Sequence, residues 1–339
     1  MLKLKIERPS RYPIHIGYGL EIPRADGPKA LLYDSAVEPL ALDLAEQLEI
    51  PVRLGLRGGE EAKTLEVYGQ TLSWLAKPAL PRDTLLYVVG GGTLTDLGGF
   101  LAASYLRGIQ FINIPTTTLA IVDASVGGKT GINLPEGKNL AGAFYAPEGV
   151  YAELEALQTL PLQIFKEGLV EAFKHGIIAG DEQLLEVENL SVSDSLEPYL
   201  ARAIAVKVGV VETDPTEKGE RRKLNLGHTL GHALEAATDH KLSHGAAVAY
   251  GLLFAALLGR AQGGEDLVPT VQKLLAWLSP APLPGLEWDD LLAFMARDKK
   301  KLGTSLNWVV PMGMGDLSIH PIPEDTLRRC YSEFLAFEL

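Results

Sequence analysis

The chain of 339 residues has one cysteine, Cys330. That excludes an internal disulfide framework and fits a reducing, cytoplasmic compartment. Uninterrupted apolar runs are short of the roughly 18 residues a bilayer-crossing helix takes, so no membrane span is expected. Positive charge is also in short supply: 31 Lys and Arg face 43 Asp and Glu, for a net charge of -12. Such a balance argues against a general nucleic-acid surface, and an anion is held only where cations converge locally. Internal repeats and low-complexity stretches are absent as well. What is present is a globular composition, 47% hydrophobic and 22% charged, long enough for two ordinary domains.

The opening Met-Leu-Lys-Leu-Lys-Ile-Glu-Arg alternates apolar and charged residues, which predicts a first strand and not a signal peptide. Leu2-Leu4-Ile6 and Ile14-Ile16 have period two, and Ala30 to Tyr33, Val52 to Leu56, Leu85 to Val89 and Phe111 to Ile114 are short apolar runs. Ser35-x-x-Glu38 has the form of a capping box before a helix carrying Leu40, Leu44 and Leu48, and a second helix is expected over 64–76. Apolar strands alternating with helices predict a parallel sheet covered on both faces. After Pro161 the pattern becomes helical, over 161–179, 199–212, 226–238, 245–261, 265–279 and 288–298. One strand-like piece, Ser305 to Val310, and a last helix from Glu324 follow. The expectation is an α/β nucleotide-binding domain over 1–155 and a mostly α-helical domain over 156–339. Ligands of such proteins sit at the carboxyl ends of the strands, in the crevice between domains.

The strand ending at Val89 runs into Gly90-Gly91-Gly92-Thr93-Leu94-Thr95-Asp96. Glycines between a buried strand and a helix let backbone N–H groups approach a diphosphate. Thr93 or Thr95 is a candidate cap of that helix, and Asp96 also suits its first turn. Further on come Ile114-Pro115-Thr116-Thr117, Asp123-Ala-Ser-Val-Gly-Gly-Lys129-Thr130 and Gly137-Lys138-Asn139. Gly-Gly-Lys-Thr is not a Walker motif, because the position of the motif's first glycine is held by Asp123. The segment reads as a loop with Asp123, Lys129, Lys138 and Asn139 suited to hydroxyls and an anion. Glu171 and Lys174 share one face of a helix, either as a surface ion pair or as a metal carboxylate beside a substrate cation. Lys207 lies among Ile204, Val208 and Val211, where snorkelling to a helix edge is the usual explanation. Arg107, Arg221 and Asp298-Lys299-Lys300-Lys301 complete the conspicuous cations. Arg221 to Gly245 holds four of the seven histidines. His228 and His232, four apart, share a helix face, and His240 and His244 follow. Imidazole is the commonest transition-metal ligand, but a pair needs a third donor from elsewhere.

Taken in order, these motifs resemble the 3-dehydroquinate synthase family of sugar-phosphate cyclases over nearly the whole chain. Tyr12-Pro13-Ile14-x-Ile16-Gly17 is similar to the family's opening strand, and Gly59-Glu60-x-x-Lys63 to its adenosine-contacting loop. Leu160-Pro161-Leu162 through Lys174 resembles its metal-glutamate helix, and Arg221-x-x-x-Asn225-Leu-Gly-His228-Thr-x-Gly-His232 its histidine signature. The resemblance implies zinc or cobalt on Glu171, His228 and His244, with His232 acting beside the metal. It implies NAD on Glu60, Lys63, Gly91, Gly92, Thr93, Asp96, Thr116, Thr117, Lys129, Lys138 and Thr159. Asp123, Lys129, Asn139, Lys174, Lys207, Arg221, Asn225 and Lys299 or Lys300 are then expected around the substrate. Arg107 would reach its phosphate across a homodimer interface. The chain departs from the family pattern at Thr93-Leu94-Thr95 and at Gly58, both on the cofactor side.

The implied reaction converts 3-deoxy-D-arabino-heptulosonate 7-phosphate to 3-dehydroquinate and phosphate, a step of aromatic amino acid biosynthesis. It proceeds by transient oxidation, β-elimination, reduction and aldol closure, with NAD regenerated. The implied partner is a small anionic sugar phosphate, with no nucleic acid and no membrane. Three alternatives stand beside it: a sister cyclase of the 2-deoxy-scyllo-inosose or valiolone type, a metal-dependent polyol or glycerol-phosphate dehydrogenase, and a non-enzymatic dinucleotide-binding protein.

Overall fold

The structure, a computed structural model, describes residues 2–6, 12–302 and 306–337, of which 2–6 and 296–302 are described as backbone only. In chain order the α/β part runs β1 (Leu2–Ile6), β2 (Tyr12–Gly17), β3 (Lys29–Asp34), α1 (Glu38–Gln47), β4 (Val52–Leu56), α2 (Leu65–Ala76), β5 (Leu85–Gly90) and α3 (Gly92–Ser104). It continues with β6 (Gln110–Pro115), β7 (Lys129–Leu134), β8 (Gly137–Phe144) and β9 (Gly149–Glu153). Then come α4 (Leu162–Ala179), α5 (Glu197–Thr213), α6 (His228–Ala237), α7 (His244–Ala261), α8 (Val268–Leu278), α9 (Trp288–Leu302), β10 (Trp308–Gly313), β11 (Asp316–His320) and α10 (Glu324–Leu335). The chain divides into two compact units. One comprises Met1–Pro161 and Val192–Thr216, the other Leu162–Ser191 and Glu217–Leu339. A single cut at 155/156 has no place for the return of 192–216: α5 packs on β1 and β2 within the first unit.

The first unit is built on a seven-stranded sheet of order β1-β2-β9-β6-β5-β3-β4, in which β1 runs antiparallel to β2 and the other six strands are parallel. Its strands read as continuous apolar runs because both faces are covered. Leu86 and Val88 of β5 face a cluster with Leu94, Leu97 and Leu101 of α3, while Leu85, Tyr87 and Val89 face one with Ala41 and Ala45 of α1. Ser35 does not cap α1. Asp34 caps a short 3-10 turn through Ala36 N, and α1 follows with Val37 at its N-cap position, no side-chain cap and Pro39 in its first turn. Thr64 does cap α2, accepting from Val67 N. The segment expected as a loop after Asp123 is instead a hairpin, β7 paired antiparallel to β8 with a bulge between Ile132 and Leu134. Its glycines, Gly131 and Gly142, hide the strand alternation, yet they let the two backbones close. A Cβ on Gly142 would stand 2.1 Å from Thr130 O.

The second unit is organised around α7, which packs against α4, α6, α8, β10 and α10. This helix is apolar enough by length and composition to cross a membrane. However, 83% of it is buried inside the protein, as befits a core helix. Tyr250 and Phe254 on α7 meet Trp288, Trp308, Tyr331 and Phe334 in one aromatic cluster. The strand expected over 305–310 forms as β10, Ser305 itself lying outside the described residues. It pairs with β11, which sequence reading missed, through a turn at Gly315 with φ +77.

Candidate active site

Three glycines bring the histidine- and glutamate-bearing helices together in the second unit. A Cβ on Gly245 would stand 2.5 Å from Glu167 Cβ and 2.6 Å from its carbonyl oxygen, so α4 and α7 meet backbone to backbone. Glu171 is one turn further along α4, and His244 is the first residue of α7, behind Ser243 as N-cap. At the start of α6, Gly227 adopts φ +78, and its carbonyl lies where a Cβ on Gly251 would be, at 1.9 Å. His228, the next residue, is thereby fixed against α7. Glu171 Oε1 then lies 3.6 Å from His228 Nε2 and 3.8 Å from His244 Nε2.

This geometry fits a metal. Donors each about 2.1 Å from a tetrahedral ion are separated from one another by about 3.4 Å. Glu171 is 1% exposed and its Oε1 accepts no hydrogen bond, a buried charged oxygen whose neighbours are two imidazole nitrogens. Burial of such an oxygen without a partner is costly, and a cation between it and the imidazoles supplies the compensation. The other oxygen pairs with Lys174, whose ammonium also donates to Leu224 O at 2.7 Å. Burial first, and then the charges of Lys174, His232 and His244, hold His228 well below the usual imidazole range. It is therefore neutral near pH 7, the form a metal needs. The Nδ1 of His228 faces Leu226 O at 3.1 Å, which turns Nε2 towards Glu171.

His232 is exposed, with its ring centre 5.2 Å from that of His228 and 6.2 Å from that of His244. The i,i+4 pair of the sequence is thus split: His228 faces the carboxylate and His232 stands beside it. Sequence reading missed Glu235, buried on the same face of α6, whose Oε2 is 3.4 Å from His244 Nδ1. The signal was available, since 228, 232 and 235 are spaced four and three apart. Arg221 is fully buried on the short helical turn before α6, and Asn225 donates to Glu217 Oε1 at 2.8 Å.

The first unit gathers the residues expected around NAD at the carboxyl ends of its strands. Gly91 begins α3 with no side-chain cap, which leaves its first N–H groups open to an anion. Neither Thr93 nor Thr95 caps it. Thr93 Oγ1 accepts from Gly59 N at 3.2 Å, and Thr95 Oγ1 donates back to Gly92 O at 3.0 Å. Thr117 and Ala124 close on Gly91 and Gly92, where added Cβ atoms would stand 3.2 and 3.0 Å away, and Thr116 N donates to Gly90 O at 3.0 Å. Gly58 has a reason too: its N–H donates to Asp34 Oδ1 at 3.1 Å, and a Cβ there would be 2.0 Å from Asp34 Oδ2. Lys63, buried, donates to both Asp96 Oδ2 and Asn139 Oδ1 at 2.6 Å. Burial raises the Asp96 carboxyl, and Lys63 opposes it. Glu60 receives Asn133 Nδ2 at 2.6 Å and lies 3.6 Å from Lys138 Nζ, so the β7–β8 hairpin is tied to the 60–63 loop at several points. Asp123 sits in a single π-type turn, Ala120–Ala124, and Lys207 of α5 binds its backbone oxygen at 2.6 Å and its Oδ1 at 2.5 Å. Lys207 does not snorkel to solvent.

Lys129 is exposed at the start of β7. Arg107 is exposed in a turn where Leu106, Arg107 and Gly108 all have positive φ. Thr159 is exposed and donates to Ala156 O at 3.2 Å, away from the glycine turn in sequence and in its bonding. The side chains of Lys299 and Lys300 lie outside the described residues, although their backbone belongs to α9.

Residues 53–167 match the model of the 3-dehydroquinate synthase N-terminal domain and residues 168–301 that of its C-terminal domain. The chain belongs to the 3-dehydroquinate synthase family. A 3-dehydroquinate synthase of Symbiobacterium thermophilum is 40% identical, the match covering 94% of this chain and 96% of that one. The fold is similar to that of a 2-deoxy-scyllo-inosose synthase solved with carbaglucose-6-phosphate, NAD+ and Co2+, with a TM-score of 0.86, 25% identity and coverage of 98% and 100%. It is also similar to that of a 2-epi-5-epi-valiolone synthase from Streptomyces hygroscopicus with NAD+ and Zn2+, with a TM-score of 0.85, 23% identity and coverage of 97% and 98%.

Proposed function

We propose that this chain is a 3-dehydroquinate synthase. It converts 3-deoxy-D-arabino-heptulosonate 7-phosphate to 3-dehydroquinate and phosphate by transient oxidation, β-elimination, reduction and intramolecular aldol closure. The observation that carries the reading is the unpartnered Glu171 Oε1 between His228 Nε2 and His244 Nε2, in a chain 40% identical to a named synthase. When bound, NAD supplies the hydride acceptor and donor, and a zinc or cobalt ion on Glu171, His228 and His244 polarises substrate hydroxyls. The rest falls to side chains. His232, exposed beside His228, moves the proton of a substrate hydroxyl between its ring nitrogen and water. Asp96 and Lys63 offer an acceptor and a donor to a ribose, and the open N–H groups at Gly91 and Gly92 meet the diphosphate. Asn139, Lys207 and Asp123 bind substrate hydroxyls, and Arg221, Lys174 and Asn225 orient its carboxylate. We assign Lys299 or Lys300 to the same carboxylate.

A sister cyclase acts on a substrate without that carboxylate and has no use for a buried arginine to hold it. Arg221 therefore favours the dehydroquinate reading. We extend it to a cytoplasmic homodimer in which Arg107, exposed on its left-handed turn, reaches a phosphate bound by the neighbouring copy. The test offers the heptulosonate phosphate with catalytic NAD and follows phosphate and carbocycle together. One dehydroquinate per phosphate is expected. Net accumulation of NADH, or phosphate release without ring closure, would overturn the reading.

A further inference from the structure

We propose that Glu235 is a positioning residue for the metal centre, fixing the tautomer and aim of His244. The inference rests on Glu171, His228 and His244 being the ligands.

The His244 ring presents one nitrogen to each of two buried carboxylates: Nε2 is 3.8 Å from Glu171 Oε1, and Nδ1 is 3.4 Å from Glu235 Oε2. An ionised carboxylate only accepts, so the proton of the neutral ring belongs on Nδ1 and the lone pair on Nε2. That is the tautomer a metal on the Glu171 side requires. The two histidines are served in parallel. His228 has a neutral acceptor behind it, the Leu226 carbonyl at 3.1 Å, and His244 has a charged one. Their surroundings explain the difference. The His228 side chain is 13% exposed and held by packing, whereas that of His244 is 32% exposed and needs a stronger hold. An anion behind the ring also makes Nε2 a better donor.

Glu235 is 3% exposed in the body of α6, an expensive place for a carboxylate without a task. A second arrangement lies alongside, where His232, Glu235 and His244 also bring donor atoms within 4.8 Å of one another. In that arrangement Glu235 would itself be a ligand. Glu171 argues against it, because its orphaned oxygen faces His228 and His244 and not His232.

The experiment measures zinc affinity by chelator competition, and the visible spectrum of the cobalt-loaded protein, for the wild type and for Glu235→Gln, Glu235→Ala, His228→Ala and His244→Ala. Zinc affinity should fall about 10- to 100-fold in Glu235→Ala. A smaller fall is expected in Glu235→Gln, whose amide oxygen still accepts from Nδ1. The cobalt bands should shift in both without loss of the wild-type coordination number. Combined with His244→Ala, the Glu235 substitutions should have no further effect, an outcome that a merely structural role would not produce. Unchanged affinity and spectrum in both variants would overturn the proposal. So would complete loss of metal in both with retention in His228→Ala, which would make Glu235 a ligand. Failure of the ligand assignment itself looks different: the wild type would bind no stoichiometric metal, whatever stands at 235. Should Glu235→Ala fail to fold, the isosteric Glu235→Gln decides alone.

Discussion

Asp96 in the first unit and Glu171 in the second are both carboxylates paired with a buried lysine, and they differ in what the pair leaves over. Lys63 holds Asp96 Oδ2, and the Asp96 side chain keeps 21% of its surface exposed. Lys174 holds one oxygen of Glu171, and that side chain is sealed at 1%. The remainder of Asp96 can be met by water or by a ligand hydroxyl, so its pair is complete with or without cofactor. The remainder of Glu171 faces two imidazoles and would be satisfied by a cation. The first arrangement suits a dissociable organic cofactor whose hydroxyls replace water at little cost. The second suits an ion whose binding relieves a buried charge, which is why metal retention should respond more steeply to substitution than NAD affinity.

The largest effect should come from His244→Ala, which removes a ligand and leaves Glu171 uncompensated. Metal analysis should find the ion lost, and turnover should fall to background. His232→Ala should keep most of its metal while kcat drops about 100- to 10,000-fold, the range for loss of a proton-transfer group. Equal metal loss in the two variants would break the split of roles between them. Next is Gly245→Ala. The added methyl meets Glu167 backbone and forces α4 from α7, at a cost of about 1–3 kcal/mol in denaturant unfolding, with weaker zinc binding as a second readout. Unchanged metal affinity there would mean that the close helix contact does not set the ligand geometry. On the other side of the comparison, Asp96→Asn should weaken NAD about tenfold by titration, as expected for one charge-assisted hydrogen bond, and leave metal content untouched. The smallest effect is in pH. The folded Asp96 carboxyl is raised above its unfolded value of about 3.9, so the folded state holds its proton longer. Its contribution to stability is then lost as pH rises from about 4 through the folded value, by at most about 1.4 kcal/mol per pH unit. Unfolding curves of Asp96→Asn should lack that decline, and parallel pH profiles for the two proteins would refute the raised carboxyl.

Much of the fold was legible because burial leaves periodic marks. Seven of the strands and the long helices left apolar runs or helical spacing in the chain, from Leu2 to the helix at Glu324. The β7–β8 hairpin did not, since glycine and short polar residues at its close backbone contacts erase alternation. Nor did β11, whose partner is only a turn away. The return of α5 to the first unit was illegible for another reason: its apolar faces fit a helical domain as well as a sheet edge, and only packing chooses between them. In the site, spacing pointed to His228 and His232 as a pair, while Glu171, His228 and His244, which the structure brings together, lie on three different helices.

By itself, then, the sequence determined the chemical inventory: histidines on a helix face, a glycine turn after a buried strand, lysines and an arginine in apolar company, and the motif order of a family. These are local properties, carried by residue type and spacing. Tertiary structure alone decided which oxygen of Glu171 faces the two imidazoles, that Lys207 answers Asp123, and that Glu235 stands behind His244. Each of those depends on how closely two backbones approach. Around Glu171 and His244 that approach is set by the volume missing at Gly245, Gly227 and Gly251, and not by any pattern along the chain.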